Sequence, residues 1–263
     1  VVRHTPPVGH LTIVGLGPGS RDLLPPRALH ALAESDMVIG YQGYIAQICD
    51  LVAGKEVHVS ELTHEVERAA LAVARAWAGQ RVCVVSSGDA GIYGMAGLVL
   101  DLLTRSPEKA IPAYRAAMQP EVEIVPGISA LNAAASLLGA PLMHDFAVIS
   151  LSDRLTPWQV IRYRLSAVAA ADFVVVLYNP ASRKRTWQLG EAQRLLLEHR
   201  PATTPVGIVR NAYRPGQQVQ ITTLEHLCEH EVDMFTTVVI GNSRTLICAG
   251  WMITSRGYEV PGS

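Results

Sequence analysis

The sequence predicts an α/β protein made of two α/β domains, the N-terminal one built on a mostly parallel sheet and the C-terminal one on a mixed sheet. Three observations predict it. Short β-branched runs alternate with longer Ala- and Leu-rich stretches through the first half, the βαβα order that covers a parallel sheet with helices on both faces. The last three strand-like runs leave no room for a helix between each pair, so part of the second sheet must be antiparallel. With 263 residues, 49% of them hydrophobic and 17% charged, the chain can bury a core in each domain.

In chain order, LTIVGL (11–16) reads as a buried strand, and 27–36 as a helix with Pro25 and Pro26 at its first turn. MVIG (37–40) is a second strand, followed by a helix near 42–52 and the strand EVHVS (56–60). Residues 62–79 carry apolar positions at helical spacing and stop at Gly79. RVCVVSS (81–87) is a fourth strand, 95–105 a helix and EVEIV (121–125) a fifth strand. The irregular stretch 105–120 reads as a mobile insertion. In the second half, strands are predicted at 146–150, 172–178, 204–210, 218–224, 236–241 and 246–254. Helices are predicted at 157–169, 184–199 and 223–230. The domain boundary falls near GAPLMHD (139–145), giving domains of 1–140 and 141–263.

Composition excludes several classes. A formal charge of −1 provides no electrostatic footprint for nucleic acid. No apolar run is long enough to span a membrane, and the opening VVRHTPPVGH lacks the apolar core of a signal peptide. Cys49, Cys83, Cys228 and Cys248 are widely spaced without a CxxC pair, so no metal site is expected and a cytoplasmic location fits. Cys83 and Cys248 sit in apolar runs and read as core thiols. His226 and His230, four apart on a predicted helix, make at most half of a metal site.

The loops after the strands carry the chemistry. GLGPG (15–19) differs from a dinucleotide fingerprint: Pro18 removes a backbone donor, and the prolines at 25 and 26 move the helix start downstream. A turn of this kind lets backbone approach a bulky, flat ligand. SSGDAGIYGMAG (86–97) surrounds Asp89 with small residues, and Asp89 serves either a ligand or the cap of the next helix. VPGIS (125–129) turns at Pro126 and Gly127, and Ser129 is placed to cap a helix. No G-x-S-x-G elbow frames Ser86 or Ser87. In the second half, Arg183, Lys184 and Arg185 open the predicted helix against its dipole. Arg210, Asn211 and Arg214 end one strand, and Asn242, Ser243 and Arg244 follow another. Together these place arginines and amides where a polycarboxylate can be gripped.

These motifs, in this order, resemble those of the tetrapyrrole methylases. GLGPG (15–19), SGDAGIYG (87–94), PGIS (126–129) and LYNP (177–180) match the family framework. PLMHDFAVISLSDRLTPW (141–158), YNPASRKR (178–185), MFTTVVIGNSRT (234–245) and MITSRGY (252–258) are more specific, and resemble the branch that methylates and contracts the macrocycle. The sequence departs from the family at Ala90 and Ser255, where relatives usually carry proline. The resemblance implies S-adenosylmethionine as methyl donor, a tetrapyrrole substrate, a homodimer, and a cofactor cleft between the two domains. It places the cofactor against Pro18, Gly88, Asp89, Ala90, Ile92, Tyr93, Ser129 and Ala130, and against Tyr178, Asn179, Arg210, Asn211, Ala212, Asn242 and Ser243. It makes Gly15, Gly17, Pro18 and Gly19 part of a macrocycle trough, and Arg154, Arg183, Arg210, Arg244 and Arg256 partners for the substrate's carboxylates. Contraction calls for loss of a hydroxyl proton, for which Asp89, His144, Asp145 and Asp153 are the candidate bases. Other readings remain open: the cobalt-containing form of the substrate, methylation at another ring carbon, a non-catalytic tetrapyrrole-binding protein, and a nicotinamide oxidoreductase.

Overall fold

The computed structural model describes residues 8–105 and 119–258. The expected insertion at 105–120 lies almost wholly outside the described residues, as do the first seven residues of the expected lead-in. The chain divides into two compact units, Val1–Ala130 and Leu131–Ser263.

In the first unit, β1 (His10–Gly15), β2 (Met37–Tyr41), β3 (Glu56–Ser60), β4 (Arg81–Ser86) and β5 (Glu121–Val125) form an all-parallel sheet in the order β3-β2-β4-β1-β5. Its central strands are apolar on both faces because helices cover both. Leu11, Ile13, Val82 and Val84 pack with Ala69, Ala72, Val99 and Leu103 of helices Glu65–Trp77 and Ala96–Arg105. Val14, Val38, Cys83 and Val85 pack with Ala28, Ala31 and Leu32 of helix Pro26–Glu34. Full burial of Leu11 or Ile13 contributes about 1.5–3 kcal/mol each. The strand order sets the site: β4, β1 and β5 are neighbours, so the loops leaving their carboxyl ends are neighbours too.

The second unit takes in helix Ala130–Leu138 from its second residue, and continues with the two-residue strand β6 (Gly139–Ala140). Leu131, Ala134 and Leu138 form a stripe at helical spacing that packs on Val174, Val176, Val209 and Val239. That packing ties the helix to the second sheet, whereas the sequence reading ran the first domain to residue 140. The sheet comprises β7 (Phe146–Ser150), β8 (Val174–Tyr178), β9 (Pro205–Arg210), β10 (Gln218–Thr223) and β11 (Thr236–Ile240), in the order β10-β9-β11-β8-β7. β7 and β8 are parallel, and the other pairings are antiparallel. Helices Trp158–Ala170 and Gln188–Leu197 cover the other face through Ile161, Leu165, Leu195 and Leu196.

Three local expectations change. The run 246–254 is a hairpin, β12 (Thr245–Cys248) and β13 (Trp251–Thr254). Its turn places Ala249 and Gly250 at φ 48° and 83°, the two positive angles that suit the twist of a two-residue hairpin loop. Cys248 therefore lies exposed on the hairpin, whereas Cys83 is a core thiol whose pKa burial pushes up to about 12. The basic cluster Arg183–Arg185 precedes its helix, which starts at Gln188, so no dipole conflict arises. No described helix is long and apolar enough to cross a membrane.

Candidate functional site

In the first unit, three strand-end loops close on one another through backbone. Gly17 and Gly88 exchange N–H···O bonds of 3.0 and 2.7 Å, joining the turn after β1 to the loop after β4. A Cβ on Gly127 would lie 2.1 Å from the Gly88 carbonyl oxygen and 2.7 Å from the Gly15 carbonyl carbon. Only glycine permits that approach. Asp89 fastens two of these three loops: one carboxylate oxygen accepts the Gly91 N–H at 2.7 Å and the other the Gly127 N–H at 3.0 Å. Pro18, Gly88, Ala90 and Ser129 are buried around this junction, and Ala130 is half-buried. Ile92 and Tyr93 stand exposed, Tyr93 with φ 53°. A non-glycine residue held at positive φ carries strain that marks a constrained loop. The Ser86 hydroxyl accepts the Met95 N–H at 3.1 Å, which occupies it structurally.

In the second unit, β8 and β9 both run antiparallel to β11, so Tyr178 and Arg210 end at the same edge of the sheet. The Tyr178 hydroxyl accepts the Leu131 N–H at 2.8 Å and so satisfies an amide in the first turn of helix Ala130–Leu138. Asn179 has φ 51°, and its side-chain amide donates to Ser150 Oγ at 3.0 Å. Asn211 also has φ 51° and donates its backbone N–H to the Phe235 carbonyl at 3.1 Å. Ala212 is half-buried against the sheet, and Tyr213 Oη meets Ser136 Oγ at 3.0 Å. Arg210 Nε donates to Asp233 at 2.8 Å. Burial raises the Asp233 pKa, but Arg210, the Phe235 N–H and the Thr236 hydroxyl outweigh it and hold the carboxyl below its usual range.

Loops 150–153 and 179–188 are laced together at that edge. Arg185, almost wholly buried, donates from Nε to the Asn179 carbonyl at 3.1 Å and from Nη1 to Ser152 Oγ at 3.5 Å. Burial lowers its pKa, and the Asp153 carboxylate partly restores it. Asp153 accepts the side-chain amide of Gln188 at 3.0 Å. Arg154 and Arg183 are exposed on these loops.

Other predicted site residues stand elsewhere, which corrects their grouping. β11 leads Asn242 and Ser243 to the opposite edge of the sheet from Tyr178 and Arg210. There Asn242 donates to the Asp172 carbonyl at 3.0 Å, and Ser243 N–H and Oγ both donate to the Asp172 carboxylate. His144 and Asp145 precede β7, which runs parallel to β8, so they share this far edge with Asp172. The His144 ring accepts the Asp145 N–H at 2.9 Å. Arg244 and Arg256 are exposed and flank the hairpin ends, where the Ser255 N–H donates to the Arg244 carbonyl at 3.2 Å. Proline at 255 has no N–H for that bond, so the serine found here adds a tie. His226 pairs with Glu229 at 2.9 Å, and no described cluster of three or more His, Cys, Asp or Glu is arranged to hold a metal. Sequence reading missed Arg200, a lone arginine between apolar runs. It is buried, donates to the Gly241 and Phe173 carbonyls, and has its pKa lowered to about 10 by burial. No spacing pattern marks it.

Comparison with known proteins follows the same loops. The family model described as "Tetrapyrrole (Corrin/Porphyrin) Methylases" matches residues 10–228, which span the strand-end loops of both units. The chain belongs to the tetrapyrrole methylases. Among solved structures, that of the methyltransferase CobJ superposes with a TM-score of 0.86 at 36% identity, covering 94% of this chain and 100% of CobJ. The "Cobalt-factor III methyltransferase" of Priestia megaterium is 50% identical over 95% of this chain but only 45% of its own length, so this chain spans about half of that relative. The "Probable cobalt-factor III C(17)-methyltransferase" of Salmonella typhimurium is 44% identical over 95% of this chain and 100% of that protein.

Proposed function

We propose that this methylase transfers the methyl group of S-adenosylmethionine to C-17 of a precorrin-type macrocycle and promotes contraction of its ring. The substrate is precorrin-3B or its cobalt-containing counterpart, cobalt-factor III. The observation that carries this reading is the end-to-end likeness to the Salmonella protein, whose name states the same ring carbon. The Priestia protein's name adds cobalt-factor III. Cobalt, in the cobalt-factor III form of the reaction, would belong to the substrate. The homodimer and cytoplasmic location expected from the sequence belong to this reading, and light scattering gives the mass.

The donor set fits S-adenosylmethionine. Exposed Ile92 and Tyr93 offer apolar surface to the cofactor. The residues assigned to the cofactor are Pro18, Gly88, Asp89, Ala90, Ile92, Tyr93, Ser129 and Ala130 of the first unit. In the second unit they are Tyr178, Asn179, Arg210, Asn211 and Ala212. Bound there, the cofactor supplies an electrophilic sulfonium methyl. The chain's own work is positioning, which contributes up to about 7–11 kcal/mol in favourable intramolecular cases. Asp89 fixes the loop junction, and Tyr178 fixes the first turn of the helix above β8. Arg154 and Arg183 offer charge to the macrocycle's carboxylates.

Titration calorimetry with S-adenosylhomocysteine tests the cofactor assignment. Saturable binding, with no binding of NADPH, is expected. Binding of NADPH alone contradicts it.

A further inference from the structure

Four carboxylate or imidazole groups were candidates for the base in ring contraction, and their placements separate them. Both oxygens of Asp89 are occupied by backbone amides. His144 and Asp145 stand at the far edge of the second sheet. Asp153 stands at the near edge, three residues past the end of β7, in the loop laced to Asn179. One of its oxygens accepts from Gln188, and the other carries no hydrogen bond among the described residues.

Gln188 is unusual in its own right. It is 3% exposed, at the first turn of a helix, where a polar side chain has to be fully partnered. Its carbonyl oxygen accepts the Trp187 N–H at 3.2 Å, and its amide nitrogen donates to Asp153 Oδ2 at 3.0 Å. A buried amide fixed at both ends holds an exposed carboxylate in one orientation. Arg185, buried beside it, fixes the Ser152 hydroxyl and the Asn179 carbonyl on either side.

Resting on the function proposed above, we propose that Asp153 accepts the proton released during ring contraction and that Gln188 is its positioning residue. In the step, a π pair of the macrocycle would form the new C–CH3 bond as the S–CH3 bond of S-adenosylmethionine breaks, its electron pair going to sulfur and S-adenosylhomocysteine leaving, which makes a ring carbon electron-poor. The σ pair of a neighbouring C–C bond moves to that carbon. The electron pair of the bridging hydroxyl's O–H bond becomes the π bond of a new C=O, and the proton passes to Asp153 Oδ1. Gln188 leaves Oδ1 facing outward by engaging Oδ2.

The test uses the full chain with S-adenosylmethionine in single turnover. The variants are compared on precorrin-3B, which carries the bridging hydroxyl; cobalt-factor III, which lacks it, serves to read methyl transfer. Release of S-adenosylhomocysteine counts methyl transfer, and the absorbance of the contracted chromophore counts contraction. The wild type gives both at matching rates. Asp153→Asn keeps methyl transfer but slows contraction by roughly 100-fold or more, within the range of a lost general base. Asp153→Glu restores part of it. Gln188→Met slows contraction roughly five- to tenfold, as expected for one lost orienting hydrogen bond, and leaves methyl transfer unchanged. The double variant is no slower than Asp153→Asn alone, which a merely structural role for Gln188 would not produce. Contraction by Asp153→Asn within threefold of wild type overturns the proposal, as do losses that multiply in the double variant. A wild type that releases no S-adenosylhomocysteine with either macrocycle overturns the underlying function instead.

Discussion

Asp89 Oδ2 accepts the Gly127 N–H at 3.0 Å across 38 positions of sequence, while its other oxygen holds its own loop at Gly91. One carboxylate thus closes two of the three loops that leave neighbouring strands of the parallel sheet. Asp89→Ala leaves two amides without acceptors and is expected to cost about 1–3 kcal/mol in urea unfolding. It should also weaken S-adenosylhomocysteine binding in calorimetry. Asp89→Asn keeps one acceptor oxygen and should lose less on both measures. Unchanged stability in Asp89→Ala contradicts the bracing role.

The glycine contact gives a second prediction with an internal control. Gly127→Ala drives a methyl into the Gly88 carbonyl, and overpacking against rigid backbone costs about 1–3 kcal/mol or more. Gly190 lies in helix Gln188–Leu197, and a methyl added there would meet nothing within 4 Å. Gly190→Ala should therefore stabilise by about 0.5–1 kcal/mol through the lower entropy of its unfolded chain. Paired urea titrations read both changes, and equal effects at the two sites contradict the account.

The Arg210–Asp233 pair gives the unit a signature in acid. The folded carboxyl lies below its unfolded value, which is about 3.9. Its stabilisation is complete above that unfolded value and is lost as pH falls through the lower folded value. Side chains a third exposed limit the effect to about 1 kcal/mol at neutral pH. Asp233→Asn should therefore melt below the wild type at pH 7, with the gap closing as pH falls below roughly 4. A gap that widens in acid contradicts the assignment.

Asn211 tests the backbone at the end of β9. At φ 51°, Asn211→Gly should be tolerated within a few tenths of a kcal/mol, while Asn211→Val should cost about 1–2 kcal/mol. Chemical unfolding distinguishes them, and equal stability of the two variants contradicts a strained turn.

Much of this architecture was legible in the sequence because its causes are local. β-branched runs between helical periods give the parallel sheet, and strand-end clusters of small residues mark the loops that Gly15, Gly88 and Gly127 bring together. Direction was less legible. Asn242 and Ser243 read as strand-end polar residues like Asn179 and Asn211, but β11 runs the other way, so the same signal lands on the opposite edge. The hairpin at Ala249-Gly250 was hidden because its turn lacks the Asn-Gly or Asp-Gly pair that announces such loops. Helix Ala130–Leu138 has an apolar stripe suited to either sheet, and its sequence does not state which one it covers. Gln188 and Arg200 are single buried polar groups whose meaning lies in distant partners, so no spacing reveals them.

The most direct measurement follows a carbon-13 methyl group from S-adenosylmethionine into precorrin-3B and, separately, into cobalt-factor III, with the product read by NMR. The account predicts label on the C-17 methyl of a contracted macrocycle from at least one of them. Label at another ring carbon, or none on either macrocycle while the protein binds S-adenosylhomocysteine, would contradict it.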